Sequence, residues 1–193
     1  MSVLLTVSLS AALPLSAASH VDVVKMRTEN QVNPLGIGTS TPRFSWQITS
    51  DRKGVVQTSY QILVASSREK LDRNEADLWD SGERNSDEQL WIPYQGKALL
   101  SGAQAYWKVR ITTNKGKSEW TEPQLFTIGL LGETKWSGTW IGLEDLQPGE
   151  QKGMHTRLAA RYIRKDFAAK GKVKRAVAYV AGLGVYEFYV NGQ

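Results

Sequence analysis

Hydrophobic and polar residues alternate over several short stretches in the first two thirds of the chain. In "RFSWQI", at residues 43–48, the alternation places Phe44 and Trp46 on one face. The stretches "QTSYQILVASS", at residues 57–67, and "QAYWKVRITTN", at residues 104–114, alternate in the same way. Alternation with a period of two is typical of β-strands that bury one face, and the pattern therefore predicts half-buried strands.

Turn-forming residues separate these stretches, for example "DRKG" at residues 51–54. A brief helical turn is predicted within "REKLDRNEADLWDSG", at residues 68–82, before the strand around Leu78-Trp79. The other predicted strands start at Val21, include Leu78-Trp79, and cover residues 88–94 and 123–130. About seven short strands with turns between them indicate an all-β sandwich.

The order of the aromatic residues resembles that of a fibronectin type III module. An early strand carries Trp46, and "GKSEW" at residues 116–120 precedes the closing strand. Either Tyr106 or Trp107 is expected to be the corner aromatic of such a module, and the sequence does not choose between them. The predicted fold is thus a fibronectin type III or immunoglobulin-like β-sandwich.

The composition changes after this region, because residues 131–153 are mostly polar and loop-like. A second β unit is predicted to begin with "ARYIRKDF" at residues 160–167. It continues through residues 173–182 to "VYEFYV" at residues 185–190, and the hairpin-turn dipeptide Asn191-Gly192 follows. Three strands are too few for a sandwich with protected edges, so we interpret this unit as the incomplete start of a second β-sandwich.

The first eighteen residues, "MSVLLTVSLSAALPLSAA", are apolar or small and carry no charge. Ser16-Ala17-Ala18 fits the cleavage site of a secretory signal peptide, although no Lys or Arg precedes Val3. The alternatives are an incorrectly assigned start or a short apolar strand. We expect a signal peptide at residues 1–18 and a secreted or periplasmic protein. No other apolar run approaches the length of a transmembrane helix.

Composition excludes several kinds of chemistry. The chain has 193 residues, no cysteine and two histidines, so disulfides, thiolate metal sites and cysteine nucleophiles are excluded. The net charge of +5 reflects residues 161–175, which contain seven Lys or Arg and one acid, Asp166. We interpret this basic stretch as solvated strand faces, because no nucleic-acid-binding motif accompanies it. We also predict no cofactor, since Gly182-x-Gly184 lacks the third glycine and the following helix of a dinucleotide-binding loop.

Two groups of residues are candidates for carbohydrate chemistry. Seven acids lie in residues 72–88, but the absence of an apolar pattern around them favours a solvated loop over a catalytic pair. Sugar rings stack on flat aromatic faces, which makes several tryptophans candidates, although packing in a core or at a domain seam is the favoured interpretation. These are Trp79, Trp91, Trp120, Trp136 and Trp140. We keep Trp136 and Trp140 as candidate sugar-stacking residues, and we assign no catalytic or metal-binding residue.

Several stretches, in order, resemble the N-terminal region of bacterial α-L-rhamnosidases. They are "NPLGIGTSTPRFSWQI", "QTSYQILVASSREKL", "ADLWDSG", "AYWKVRITTNKGKSEWTEPQLFTIGLL", "WSGTWIG" and "RKDF…VKRAVAYVAGLGVYEFYVNG". The resemblance implies a fibronectin-type or immunoglobulin-like sandwich followed by a carbohydrate-binding-like sandwich called the rhamnosidase N domain. In that family a later (α/α)₆ barrel removes terminal α-L-rhamnose with inversion, using two carboxylic residues. No position of this sequence matches that barrel.

We therefore expect a signal peptide at residues 1–18, a fibronectin type III or immunoglobulin-like sandwich at residues 19–131, a linker at residues 132–157, and the start of the rhamnosidase N domain at residues 158–193. The resemblance implies a non-catalytic N-terminal part of an enzyme whose partner is a rhamnose-containing glycan, bound through the absent barrel. The alternative is a complete non-catalytic secreted protein that binds carbohydrate or mediates adhesion.

Overall fold

A computed structural model describes residues 21–132, 136–142, 146, 148–150, 153 and 159–193. The leader predicted at residues 1–18 and most of the predicted linker lie outside these residues. The chain divides into two compact units, residues 1–137 and residues 138–193. Each unit is described by itself below. The predicted division into four segments stays a prediction.

The first unit contains eight strands and one short helix among its described residues. In chain order they are β1 (Val21–Thr28), β2 (Arg43–Ser50), β3 (Gln57–Ala65), α1 (Arg68–Asp72), β4 (Trp79–Asp80), β5 (Ile92–Pro93), β6 (Gln104–Thr113), β7 (Gly116–Lys117) and β8 (Gln124–Thr127). One sheet has the order β1-β2-β5. The other sheet runs β4-β3-β6-β7, and β8 also pairs with β6. All pairs are antiparallel, which confirms the predicted all-β, immunoglobulin-like sandwich.

The core lies between the two sheets and is rich in aromatic rings. Phe44 and Trp46 from β2 are fully buried, as are Trp107 and Val109 from β6, so the strand faces predicted from alternation are confirmed. The rings of Phe44 and Trp107 lie 4.4 Å apart between centroids and join the two sheets directly. Burial of such large rings is the main stabilising contribution in a domain of this size.

A β-bulge interrupts the outer strand of the three-stranded sheet. In β1, Val24 pairs with Gln47 and Arg27 pairs with Ser45, so two residues of β1 face one residue of β2. Lys25 lies in the bulge with φ 50° and is exposed to solvent. The extra residue bends β1 and locally breaks its pairing.

Two details differ from the sequence predictions. The strand predicted at residues 88–94 is reduced to Ile92–Pro93, because Trp91 has φ 60°, a left-handed conformation that interrupts regular strand pairing. The hydroxyl that bonds to backbone carbonyls in the manner of a corner tyrosine belongs to Tyr94, which donates to Lys97 O at 2.7 Å. The hydroxyl of Tyr106 instead accepts a hydrogen bond from Gln104, and Trp107 is a core residue.

The second unit has no strand among its described residues, so the strands predicted at residues 160–167, 173–182 and 185–190 are not formed there. Its apolar side chains, such as Tyr162 and Phe167, are exposed. A strand requires hydrogen bonds to a neighbouring strand, and no such pairing occurs among the described residues of the second unit. The predicted turn at Asn191-Gly192 is formed, with Val190 and Gln193 bonded reciprocally across it at 2.9 and 3.1 Å.

Candidate functional site

The structure assigns different environments to the five tryptophans that the sequence raised as sugar-stacking candidates. Trp79 belongs to the core, where its ring packs against Phe44 and Tyr94 with centroid distances of 6.3 and 5.4 Å. Its burial removes it from the candidates. The core interpretation is correct for this residue.

Trp120 is half-buried on the outer face of the five-stranded sheet. The Arg110 guanidinium lies 4.4 Å from its ring centroid and the Lys108 ammonium lies 5.1 Å away. Lys108 itself is buried and donates to Asn74 Oδ1 at 2.8 Å and to Leu71 O at the end of α1. The cation–π contacts cover the ring, and the hydrogen bond from Lys108 to Leu71 O attaches α1 to the sheet, so these contacts have a structural role.

Trp136 and Trp140 are both exposed, at 49% and 70% of their surface. Trp136 belongs to the first unit and Trp140 to the second. Their exposure is compatible with sugar stacking, but no polar contact of either residue within the described part of the chain gives further support for a sugar site. Their assignment as sugar-stacking residues stays a prediction.

The acidic stretch at residues 72–88 is made of ion-paired and solvated side chains. Asp77 lies 2.6 Å from Lys70 Nζ, and Glu75 lies 2.8 Å from Arg73 Nε. Glu83 accepts from Ser59 Oγ at 2.8 Å, and this hydrogen bond is the largest cause that lowers the pKa of Glu83. The solvated-loop interpretation therefore fits these carboxylates.

The pKa of Asp77 has the largest shift among these acids. Partial burial alone would raise the pKa of Asp77, but hydrogen bonds from Lys70, from Ser66 N and from Ser66 Oγ outweigh it and lower the pKa to about 2. A carboxyl group with such a pKa is ionised at neutral pH. It cannot serve as a general acid, which needs a raised pKa.

One exposed tryptophan, Trp91, forms a polar and aromatic surface with Glu29 and Arg43, which we call the Trp91 surface. The Arg43 guanidinium carbon lies 4.2 Å from the centroid of the Trp91 ring, and 41% of Trp91 remains exposed. Glu29 accepts from Arg43 Nη2 at 2.7 Å and from Nε at 3.1 Å, in the two-pronged geometry typical of strong Arg–carboxylate pairs. Glu29 also accepts from the Arg43 backbone N–H at 2.8 Å.

A tight turn places Glu29 in this surface. Glu29 and Asn30 have φ 48° and 62°, and the flanking residues Thr28 and Gln31 exchange two backbone hydrogen bonds of 3.0 and 2.9 Å. Two central residues with positive φ are the signature of a type I′ hairpin turn. The turn projects Glu29 beside Arg43, the first residue of β2.

The backbone around Trp91 is held by β2. Trp91 N donates to Ser45 Oγ at 2.9 Å, and Trp46 N donates to Gln89 O at 3.0 Å. Buried Gln57 donates from Nε2 to Ser86 O and Glu88 O at 3.0 and 2.9 Å. A bulky residue at φ 60° costs about 1–3 kcal/mol, so these contacts maintain a strained position that exposes the indole.

A groove adjoins the Trp91 surface through Glu29. It has a volume of about 400 Å³, within the range of small-molecule sites, and we call it the Glu29 groove. Apolar Pro34 and Leu35 line it together with polar Gln31 and Thr39. Mixed apolar and polar lining suits a ligand that has both kinds of surface.

The arrangement supports binding rather than catalysis. Glu29 is the one carboxylate of the Trp91 surface, and the hydrogen bond from Arg43 is the largest cause that lowers the pKa of Glu29. Glu29 therefore stays ionised and acts as a hydrogen-bond acceptor. Within the described part of the chain, no group of three or more His, Asp or Glu is placed to hold a metal ion. No helix among those residues is long and apolar enough to cross a bilayer.

Sequence reasoning named Trp91 among five candidates but missed Glu29 and Arg43. These two residues are fourteen positions apart, and only the turn at Glu29-Asn30 and the start of β2 bring them together. The asparagine at position 30 was the available signal, because Asn tolerates positive φ in tight turns.

Comparison with known proteins agrees with this fold. Residues 23–132 match the family model of the Rha78A-like, N-terminal immunoglobulin domain. An α-L-rhamnosidase of Formosa agariphila is 35% identical over 190 residues, which cover 91% of this chain and 20% of that protein. The chain spans about a fifth of the length of such curated relatives.

Solved structures of α-L-rhamnosidases also match this chain over a small part of their length. The crystal structure of Streptomyces avermitilis α-L-rhamnosidase complexed with L-rhamnose has 36% identity and a TM-score of 0.60, and the match covers 64% of this chain and 12% of that one. The α-L-rhamnosidase from Dictyoglumus thermophilum has 32% identity and a TM-score of 0.60, over 67% of this chain and 15% of that one. With its family model, its relatives and its fold in agreement, this chain belongs to the Rha78A-like family, in which residues 23–132 form the N-terminal immunoglobulin domain.

Proposed function

We propose that the chain is the non-catalytic N-terminal part of an α-L-rhamnosidase that acts on rhamnose-containing glycans, and that its immunoglobulin-like unit is an accessory domain. The observation that carries the proposal is the match of 91% of this chain to only 20% of a relative described as an α-L-rhamnosidase. The remaining four fifths of such a protein offer ample length for a separate catalytic domain.

The electrostatics of the described carboxylates support a non-catalytic role. Hydrolysis of a glycosidic bond usually needs two carboxyl groups that face one substrate, one of them with a raised pKa. Here the pKa values of Glu29, Glu75, Asp77 and Glu83 are all lowered, and hydrogen bonds from neighbouring cations or hydroxyls contribute to each shift. Groups of this kind stabilise loops and turns.

A turnover assay tests the proposal directly. The purified chain is incubated with an aryl α-L-rhamnoside, and a full-length α-L-rhamnosidase relative serves as the positive control. We expect release of the aryl group at the rate of buffer alone. Turnover that rises in proportion to chain concentration and survives repurification would contradict the proposal.

The gene provides a second test, which separates this function from a complete carbohydrate-binding or adhesion protein. The exposed Trp91 surface is the observation that favours this second candidate. An open reading frame of several hundred codons after the codon for Gln193 supports the rhamnosidase. A stop codon at that point supports the binding protein instead.

We also propose that the protein is exported, as the apolar, uncharged residues 1–18 suggest. The full-length gene is expressed in a bacterial host, and the protein from the periplasm or medium is examined by mass spectrometry. A new N-terminus at Ser19 is expected. Protein that stays in the cytoplasm and retains residues 1–18 would exclude export through this leader.

A further inference from the structure

The Trp91 surface has no role in the core of the first unit. The ring of Trp91 is outside the buried cluster that joins the two sheets, and much of it faces solvent. The residue nevertheless adopts a left-handed backbone conformation that a bulky side chain rarely takes. Strain of this kind is concentrated at positions where it serves binding or catalysis.

We propose that the Trp91 surface, with the adjoining Glu29 groove, binds a sugar residue of a rhamnose-containing glycan. Trp91 supplies the stacking face, while Arg43 and Glu29 supply a donor and an acceptor for neighbouring hydroxyls. The choice of rhamnose rests on the proposed function, whereas the choice of a sugar rests on the chemistry of these three residues.

Stacking explains why the ring is exposed. The axial C–H groups of a pyranose form an apolar face, and this face packs on an indole ring with the same preference that aromatic residues show for apolar partners. Arg43 lies 4.2 Å from the ring centroid, which fixes the indole on one side and leaves its exposed part for a ligand. A ring held in this way loses little conformational entropy on binding.

The Arg43–Glu29 pair explains the polar half of the recognition. Arg43 donates to Glu29 through Nε and Nη2, and no hydrogen bond from Nη1 to another described residue is present. Glu29 is held in a fixed orientation by three hydrogen bonds from Arg43. A fixed donor and a fixed acceptor match two adjacent hydroxyl groups of a sugar better than mobile side chains do.

The groove adds an apolar contact for a deoxysugar. L-rhamnose is a 6-deoxyhexose, so its C6 is a methyl group where other hexoses have a hydroxymethyl group. Pro34 and Leu35 line the groove beside Glu29, and Leu35 is largely exposed. Burial of a methyl group against these side chains distinguishes a 6-deoxyhexose from a hexose with a polar C6 group.

The indole signals of the intact chain test the proposal. The chain has seven tryptophans, so a ¹H–¹⁵N spectrum contains up to seven indole N–H signals, and the signal lost in Trp91→Gly identifies Trp91. Methyl α-L-rhamnoside is then titrated into the wild-type chain. We expect the Trp91 signal to shift with saturation. An unshifted Trp91 signal at the highest soluble sugar concentration would overturn the proposal.

Two variants separate the site from the other exposed tryptophans. Trp91→Gly keeps the backbone conformation, because glycine adopts φ 60° without steric cost, and should weaken binding by about tenfold or more. Trp140→Gly removes the exposed indole of a competing candidate, and a sugar bound at Trp91 should bind this variant with unchanged affinity. Weakening in Trp140→Gly together with unchanged binding in Trp91→Gly would assign the sugar to Trp140 and overturn the proposal.

A third variant tests the polar half. Arg43→Lys keeps the positive charge but loses the two-pronged geometry, so it should weaken binding while the urea midpoint confirms the fold. Equal affinity of this variant and the wild type would remove Arg43 from the site. These outcomes are independent of the turnover assay: a chain that hydrolyses no aryl rhamnoside and whose Trp91 signal stays unshifted keeps the proposed function and loses this inference.

Discussion

The two compact units use apolar residues in similar patterns, but only the first buries them. In β6, alternation places Trp107 and Val109 in the core, where both are inaccessible to solvent. In the second unit, "VYEFYV" at residues 185–190 is just as rich in aromatic and β-branched residues, yet Tyr186 and Phe188 are each 54% exposed. The same local preference for extended structure leads to two different results.

The difference shows that strand formation depends on the neighbouring segments as well as on the local sequence. β6 pairs with β3 on one side and with β7 and β8 on the other, and its apolar face meets β2 across the core. The segment at residues 185–190 has neither a paired strand nor an opposing sheet among the described residues of its unit. Backbone pairing and burial are both needed to offset the entropy lost on ordering a strand.

The largest effect is expected when the same aromatic ring is removed from each unit. Phe44→Ala deletes a fully buried ring that contacts Trp107, and it should lower the free energy of unfolding by about 3–5 kcal/mol. Phe167→Ala deletes a ring that is 82% exposed and should leave the free energy of unfolding unchanged. Urea denaturation followed by tryptophan fluorescence measures both. Equal destabilisation by the two variants would mean that the second unit also has a packed core.

A smaller effect is expected when a methyl group is added to a glycine in each unit. A Cβ at Gly96 would overlap Leu78 O, the Cβ of buried Trp79 and the Tyr94 hydroxyl, so Gly96→Ala should lower the free energy of unfolding by about 1–3 kcal/mol. A Cβ at Gly182 would meet the ring of exposed Tyr186 as its nearest neighbour, and this ring can turn away. Gly182→Ala should therefore leave the urea midpoint unchanged, and a loss similar to that of Gly96→Ala would contradict the comparison.

The smallest effect is expected for an ion-paired carboxylate in each unit. Asp77 pairs with Lys70 at 2.6 Å, and Asp77→Asn should cost about 1 kcal/mol, because about a third of each side chain is exposed and solvent screens the pair. The pair of Asp166 with Arg164 is more than 80% exposed. Asp166→Asn serves as the control and should leave the free energy of unfolding unchanged at every pH.

The pH dependence follows from the direction of the Asp77 shift. Its folded-state pKa, about 2, is below the ordinary value of 3.8, so the folded state favours the ionised form. The stabilisation is fully present above the unfolded-state pKa and is lost as the pH falls through the folded-state pKa. The difference between the wild type and Asp77→Asn should therefore shrink from pH 5 to pH 2. A difference that is constant over this range would show that the charge of Asp77 is not its source.

Much of the first unit was predictable because its strands alternate regularly. Trp46, Ile62 and Val109 occupy the apolar positions of their strands, and local periodicity alone identifies the face that is buried. A helical turn was also predicted within residues 68–82, and it forms at Arg68–Asp72, where Ser67 accepts from Lys70 N at its start. These features depend on residues close to one another in sequence.

The remaining features depend on contacts between distant residues. Glu29 meets Arg43 only after a type I′ turn has formed. Trp91 departs from strand geometry because Ser45 of β2 and Gln57 of β3 hold its segment through hydrogen bonds. The alternation at residues 88–94 contains no information on these hydrogen bonds, so it predicted a longer strand than the one that forms. In the second unit the predicted strands were wrong for a different reason: the composition is typical of strands, but no strand pairing is present among the described residues.

The bulge in β1 has a consequence for how these molecules behave when crowded together. β1 is an outer strand of its sheet, and a regular outer strand is a template on which another chain can add a strand of its own. At Lys25 the backbone leaves the strand conformation, and the exposed ammonium group adds charge at the same point. An incoming strand would lose its register after a few residues, so the bulge protects the sandwich against edge-to-edge aggregation.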